Sequence, residues 1–264
     1  MSGIATFASL RKLLILLFII IVGFSLIRAC SKIGIPVNSA YRIARDGSWY
    51  PLPLMGKEKN MLGFSDELIA AIAKEEKIRV ELLLTGTNHL FDGLDEGEYD
   101  AVLSYTTPNV VNKEKYLFSD PFYLVGPVLM VPKSSQVKSL EDMANKIVGI
   151  KSGSSMVYNV IQFPSIMIVS YDNVGTSLDD LVNNKIDGLI MDAMPAYVYT
   201  QRFYPNQLKI ISSPLNQEGL RLITRHGLRE QALVEKFNEG LKVIRENGTY
   251  NELIIKWQLI NPQL

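Results

Sequence analysis

The chain has 264 residues, of which 47% are hydrophobic and 20% are charged, so it can form one large or two small domains with a substantial core. Glycine and proline number 18 and 12, an ordinary share that excludes collagen-like and low-complexity sequences. The chain holds 27 basic and 27 acidic residues, with no excess of positive charge, and this argues against nucleic acid as a partner, because binding phosphates requires a clustered basic surface.

Residues 1–30 have the pattern of an export signal. Two basic residues, Arg11 and Lys12, precede an apolar run over residues 13–27. A run of this length suits the core of a signal peptide and is shorter than the roughly 20 residues of a membrane-spanning helix. We therefore expect the rest of the chain to lie outside the cytoplasmic membrane, in the periplasm or an equivalent extracytoplasmic space.

The only cysteine, Cys30, stands directly after the apolar run. The segment Ile27-Arg28-Ala29-Cys30 resembles a bacterial lipobox, in which a small residue such as Ala29 precedes the cysteine. Arg28 is unusual at its position in this motif. We therefore predict that Cys30 is lipidated and that residues 31–39 form a tether. The alternatives are an uncleaved signal anchor and a buried free cysteine.

The first part of the body predicts strands separated by helices. Apolar and β-branched runs indicate the strands, and apolar residues at helical spacing indicate the helices. We predict strands at Ala40–Ala44, Ile78–Leu84, Asp100–Ser104 and Tyr123–Val131, a helix from its N-cap Ser65 to about Glu76, and a short helix near His89–Leu94.

From Pro132 a second set of short strands and helices begins, and two amphipathic helices close the chain. The predicted strands are Ile147–Ile150, Ile166–Ser170, Gly188–Met191 and Gly219–Thr224, and the predicted helices are Ser139–Asn145, Ser154–Phe163, Ser177–Asn183 and Ala193–Phe203. This alternation is typical of parallel α/β units.

The order of these units predicts an α/β fold with two lobes. The first lobe would comprise residues 40–131 and 220–264, and the second lobe, residues 132–219, would be inserted between them. Two crossings then join the lobes, and a ligand cleft lies where the carboxyl ends of the strands face each other.

Over Tyr41–Trp257, ordered short motifs resemble those of the extracytoplasmic solute-binding proteins of polar amino-acid ABC transporters, bacterial solute-binding protein family 3. The motifs are Gly63-Phe64, Gly97 to Ala101, Phe118 to Phe122, Ser139 to Asp142, Gly149 to Ser154, Asp187-Gly188 with Asp192, and Gly248 to Trp257. The resemblance implies a periplasmic-binding-protein-like fold, or venus flytrap, whose cleft closes on a free amino acid. It also implies a membrane permease as partner, no metal and no cofactor; we expect a monomer.

In that family an aspartate matching Asp192 pairs with the ligand's ammonium group. Asp192 follows a predicted buried strand, which places its carboxylate at the strand's carboxyl end and toward the cleft. The alternative is that Asp192 only caps the following helix. Tyr105 and Thr107 match positions that bind the ligand in the family, and ordinary loop chemistry is their alternative.

The ligand's carboxylate would be held by Ser154 and Ser155, which follow a strand and open a predicted helix. Relatives also grip it with an arginine that is missing here, and Asn112 lies nearest to that position. Lys113 or Arg45 could supply a charge instead, although each is equally a solvated surface residue.

Two further residues fall at ligand positions of the family. Trp49 matches an aromatic residue that stacks on the ligand, and Asp46 lies close by in sequence. A tryptophan here is equally a core or lid residue.

The expected function is delivery of an amino acid or related small zwitterion to a permease by a protein that is not an enzyme. Among common catalytic motifs, G-x-S-x-G and H-E-x-x-H are absent from the sequence. A dehydratase-like enzyme of the same fold and a ligand sensor without a transporter remain alternatives.

Overall fold

A computed structural model of the chain describes residues 39–261 except 53 and 155. The predicted signal sequence, Cys30, nearly all of the tether and Ser155 lie outside the described residues. Within the described part, no helix combines the length and the hydropathy needed to cross a membrane.

The first lobe is built on a mixed sheet. Its first elements are β1 (Tyr41–Asp46), α1 (Glu58–Glu75), β2 (Val80–Thr85), a 3₁₀ turn (Thr87–His89), α2 (Leu90–Glu96), β3 (Ala101–Ser104), α3 (Val110–Lys113), β4 (Tyr116–Phe118) and β5 (Tyr123–Leu124). Strand β1 lies between β2 and β3 and is parallel to both. The carboxyl ends of these three strands therefore lie at one edge of the sheet.

The second lobe has its own sheet. Its elements are β6 (Pro127–Pro132), a 3₁₀ turn (Glu141–Met143), β7 (Ile147–Lys151), α4 (Val157–Val160), β8 (Met167–Tyr171), α5 (Val174–Val182), β9 (Gly188–Asp192), α6 (Ala193–Val198), a π-helical turn (Tyr199–Phe203) and β10 (Leu208–Ile210). The strand order is β10-β6-β9-β7-β8. Strand β7 is parallel to both β8 and β9, whereas β6 is antiparallel to β9 and β10.

The chain then returns to the first sheet and ends in helices. Strand β11 (Gly219–Arg225) pairs antiparallel with β3, β4 and β5, and α7 (Leu228–Glu246) and α8 (Thr249–Lys256) follow. Helices α1, α7 and α8 cover the sheet with an apolar core, in which Phe64 packs edge-on against Tyr123 and Tyr250. The predicted two-lobe α/β architecture is present.

The crossings between the sheets lie side by side. The N–H groups of Val125 and Gly126 both donate to the carbonyl of Glu218, at 2.9 and 3.2 Å. Strand β6 pairs with β9 and β10, so residues 127–131 belong to the second sheet, whereas the sequence-based boundary put them in the first lobe. The apolar run Tyr123–Val131 hides this break, because it is two strands in two different sheets.

Several predicted helix limits were wrong. Helix α1 begins at Glu58, so Ser65 lies inside it and donates to the carbonyl of Leu62 instead of capping the helix. The helix predicted over Ser154–Phe163 is only one turn, α4. The short elements α3, β4 and β10 were not predicted, because too few residues form them to show a period.

Candidate functional site

Charged side chains end two neighbouring strands of the second sheet. Lys151 is the last residue of β7 and Asp192 is the last residue of β9, and these strands pair in parallel. Both residues line a cavity of about 260 Å³ at this edge, together with Ser154 and with Met55 from the first lobe. The cavity therefore opens where the sequence analysis expected the cleft.

The carboxylate of Asp192 is available to a ligand. The residue occupies the N-cap position of α6, but its side chain makes no capping hydrogen bond. It is exposed and forms no ion pair with another described residue. The structure thus shows the position that the sequence predicted and not the capping alternative.

Lys151 is a second free charge, and the sequence analysis did not select it. Its side chain is exposed and takes part in no ion pair or hydrogen bond among the described residues. Lys151 and Asp192 also do not pair with each other, although they line the same cavity. An arrangement of two opposite, unpaired charges suits a molecule that carries one charge of each sign.

Ser154 lines the cavity, but its amide is not free to bind an anion. The amide donates to the carbonyl of Lys151 at 3.1 Å, and the hydroxyl accepts from the amide of Met156 at 3.3 Å. Helix α4 is too short to present an anion site at its N-terminus. The Ser154 amide therefore does not serve the predicted carboxylate cradle, and the other residue of that prediction, Ser155, lies outside the described residues.

In the first lobe, Asp46 ends β1 and is only 8% exposed. Its carboxylate accepts hydrogen bonds from the amide and hydroxyl of Ser48 and from the hydroxyl of Thr87. Burial raises the pKa of Asp46, but these hydrogen bonds outweigh burial and hold the pKa below its ordinary value. The hydrogen bonds of the Asp46 carboxylate thus stabilise the loop after β1.

We predict that Asp46→Asn lowers the free energy of unfolding by about 1–3 kcal/mol at neutral pH. Because the folded-state pKa lies below the unfolded value of about 3.9, the carboxylate stabilises the fold above that pH. This contribution is lost as the pH falls through the folded-state pKa, so the difference between the variant and the wild type should vanish in acid. Urea unfolding across this pH range measures it; the control Asp172→Asn, at an exposed side chain, should match the wild type throughout.

Arg45 cannot replace the missing arginine. Its guanidinium forms a two-point ion pair with Asp66, at 2.6 and 2.7 Å, and also donates to the carbonyl of Leu83 at 3.1 Å. With 8% of its surface exposed, Arg45 serves the interior of the first lobe. The prediction that it reaches the ligand is not supported.

Asn112 and Lys113 are the two residues nearest the position at which relatives have the carboxylate-binding arginine. Asn112 forms a reciprocal capping box with Asn109 and donates to the carbonyl of Thr107 at 2.8 Å. The carbonyl of Lys113 lies 3.2 Å from His226 Nε2. His226 follows β11, whose carboxyl end pairs with the amino end of β3, so this contact lies at the end of the sheet away from the carboxyl ends of the strands. Neither residue lines the cavity that holds Asp192.

Of the two aromatic residues predicted at the ligand, Trp49 lies in the core and Tyr105 lines a cavity of the first lobe. Trp49 is 3% exposed and packs in the core, so the core alternative holds for it. Its neighbour Tyr50 is 73% exposed and lines a cavity of about 360 Å³. Tyr105 and Thr107, which the sequence analysis selected, line the same cavity.

Tyr105 also connects the lobe to the crossing. Its hydroxyl donates to Glu218 Oε2 at 3.3 Å. Burial raises the pKa of Tyr105 far above its ordinary value, and the negative charges of Glu218 and Asp192 raise it further. The phenol therefore remains protonated and donates its hydrogen bond to Glu218.

Residues 41–260 match the family model described as bacterial extracellular solute-binding proteins, family 3. The chain belongs to this family. It is therefore an extracytoplasmic solute-binding protein and not an enzyme. Among the residues that the structure describes, no group of three or more His, Cys, Asp or Glu side chains could hold a metal ion.

Named relatives extend the comparison over most of the chain. The solute-binding protein is 26% identical to the probable histidine-binding protein of Neisseria gonorrhoeae, over 83% of each chain. It is 27% identical to the ABC transporter arginine-binding protein 1 of Escherichia coli, over 87% of this chain and 91% of that one. The crystal structure of the L-cystine solute receptor of Neisseria gonorrhoeae in its unliganded open conformation has the same fold, with a TM-score of 0.60, 20% identity and coverage of 83% and 92%.

Two residues near this site, Lys151 and Glu218, were not selected from the sequence. Lys151 carries the same signal as Asp192, a charge at the end of an apolar strand, but the positive charge for the ligand's carboxylate was expected at Arg45 or Lys113. Glu218 gives no such signal, because its place beside Tyr105 depends on how the two crossings pair.

Proposed function

We propose that this solute-binding protein binds a free amino acid in its cleft and delivers it to the permease of an ABC importer. The observation that carries the proposal is the pair of opposite, unpaired charges, Lys151 and Asp192, that line one cavity. In this arrangement Asp192 accepts the ligand's ammonium group and Lys151 binds its carboxylate. The relatives named for histidine and arginine binding support an amino acid as the ligand class.

A zwitterion fits this site because each of its charges meets an opposite charge. Burying a charge without a partner costs several kcal/mol. A simple ion would leave one of the two protein charges unmatched, and a neutral molecule would leave both unmatched. Lys151 binds as a point charge and not as a planar fork, so it holds the carboxylate with less directional constraint than an arginine.

Closure of the lobes completes the site. Met55 already contributes to the cavity from the first lobe, and Tyr50, Tyr105 and Thr107 line the first lobe's own cavity. A ligand that touches both lobes favours the closed form by its differential affinity for it. The permease then distinguishes the closed, loaded protein from the open one.

A thermal-shift screen of the purified full-length protein against the common L-amino acids tests this proposal. A ligand at 100 times its Kd adds about 2.7 kcal/mol to the free energy of unfolding. For a chain of this size, this corresponds to a rise in Tm of roughly 5–10 °C. If no amino acid raises the Tm, the proposed ligand class is wrong.

We also propose that the protein is a monomer anchored through a lipid on Cys30. We predict that Cys30→Ser moves the protein from the membrane fraction to the soluble fraction, because a covalent lipid chain supplies the binding energy for the bilayer. Immunoblotting of fractionated cells measures the distribution, with the wild-type protein as control. Retention of the variant in the membrane would favour the uncleaved signal anchor.

A further inference from the structure

The cavity at Asp192 has both charged and apolar lining residues. Lys151 and Asp192 are exposed, and the part of the lining that they form with Ser154 is called the mouth. The part called the interior is mostly apolar and is formed by buried or half-buried residues of the second lobe, which include Val174, Leu189, Met191, Pro195, Tyr171 and Tyr199. One cavity therefore combines two opposite charges with an apolar surface.

The polar groups of this interior are already satisfied or near solvent. The hydroxyl of Ser177 donates to the carbonyl of Val174 at 2.8 Å, and that of Tyr171 donates to Asp180 Oδ2 at 2.9 Å. Tyr199 is half-exposed. A guanidinium or imidazole group placed inside would therefore lose its water without gaining matching partners, which is costly.

The volume fits an aliphatic or aromatic side chain. An engineered apolar cavity of about 150 Å³ in a protein core holds benzene, and the cavity here measures about 260 Å³. Hydrophobic transfer favours filling such a space in proportion to the apolar area removed from water.

We propose that this cavity binds the side chain of the ligand, so that the ligand is an amino acid with a large aliphatic or aromatic side chain. The proposal rests on the proposed function, since the ammonium and carboxylate groups must stay at the mouth for the side chain to enter. Histidine and arginine, for which two of the relatives are named, would not match this interior.

Calorimetric titration of the full-length protein with L-leucine, L-phenylalanine, L-alanine and L-arginine tests this specificity. We expect L-leucine or L-phenylalanine to bind at least about ten-fold more tightly than L-alanine and L-arginine, since each added methylene in an apolar pocket is worth roughly ten-fold or more. L-alanine or L-arginine binding as tightly as both larger apolar amino acids would overturn the inference without touching the proposed function.

Substitution of Val174 supplies the second test. Val174→Phe fills the interior and should weaken binding of the preferred apolar amino acid by about ten-fold or more, while L-alanine changes by less than about two-fold. Val243→Phe, at an exposed position on α7, is the matched control and should not change either affinity. If Val174→Phe does not fold, Val174→Ala enlarges the interior and should shift the preference from L-leucine toward L-phenylalanine.

The two proposals fail in different ways. Equal affinities in the wild type and Val174→Phe, combined with loss of binding in Asp192→Asn, would contradict only the apolar subsite. Failure of all four amino acids to bind would contradict the proposed function itself.

Discussion

We expect Asp192→Asn to weaken amino-acid binding severely while the fold remains intact. Truncating one partner of a desolvated charge pair costs about 2–5 kcal/mol, so we expect the Kd to rise at least about 30-fold. Asparagine keeps the size and the capping ability of the residue and removes only its charge. Because Asp192 is exposed and makes no side-chain contact that stabilises α6, the free energy of unfolding should change by less than about 0.5 kcal/mol.

Isothermal titration calorimetry with the amino acid that stabilises the wild type most measures this effect. Asp179→Asn is the matched control: it removes an exposed aspartate from α5 of the same lobe, outside the cavity. The control should keep wild-type affinity. An Asp192→Asn protein that binds as tightly as this control would exclude Asp192 from the site.

Lys151→Met weakens binding by about 10- to 100-fold, because a hydrogen bond to a charged group contributes about 1.5–3 kcal/mol. Methionine keeps most of the apolar stem and removes the ammonium group. The loss should be smaller than for Asp192→Asn, since Lys151 is a flexible, exposed point charge. Calorimetry on the same amino acid gives the comparison.

Lys138→Met controls for the general loss of a positive charge. Lys138 is also exposed on the second lobe but lies outside the cavity. We expect it to retain wild-type affinity. Unchanged binding by Lys151→Met would show that Lys151 does not bind the ligand's carboxylate and would contradict its proposed role.

Most of the fold could be predicted because its signals are local. Short apolar strands such as Ile147–Lys151 and Gly188–Asp192 sit between amphipathic helices, and this alternation alone indicates parallel α/β units. Limits set by tertiary contacts were missed. Helix α1 extends back to Glu58, and its first turns contact the distant C-terminal region, where Asn60 donates to the carbonyl of Trp257. The run Tyr123–Val131 divides between two sheets, because its two strands pair with different partners far away in sequence.

The candidate site also has residues with a local sequence signal and residues whose place depends on tertiary contacts. Asp192 was predictable because a strand end fixes its direction, and Lys151 was open to the same argument. Arg45 was misassigned because its partner Asp66 lies on α1, whose position relative to β1 only the fold gives. Trp49 and Tyr50 are neighbours in sequence, and only packing decides which of the two turns into the core.

The proposed cleft recognises both charges of an amino acid. Titration of the protein with the best-binding amino acid and with its two singly charged analogues tests this recognition. For L-leucine these are 3-methylbutylamine, which lacks the carboxylate, and 4-methylpentanoate, which lacks the ammonium group. We expect the amine to bind about ten-fold or more weakly and the acid about 30-fold or more weakly than the amino acid. An analogue that binds as tightly as the amino acid would contradict the two-charge site and would identify which of Lys151 and Asp192 plays no part in it.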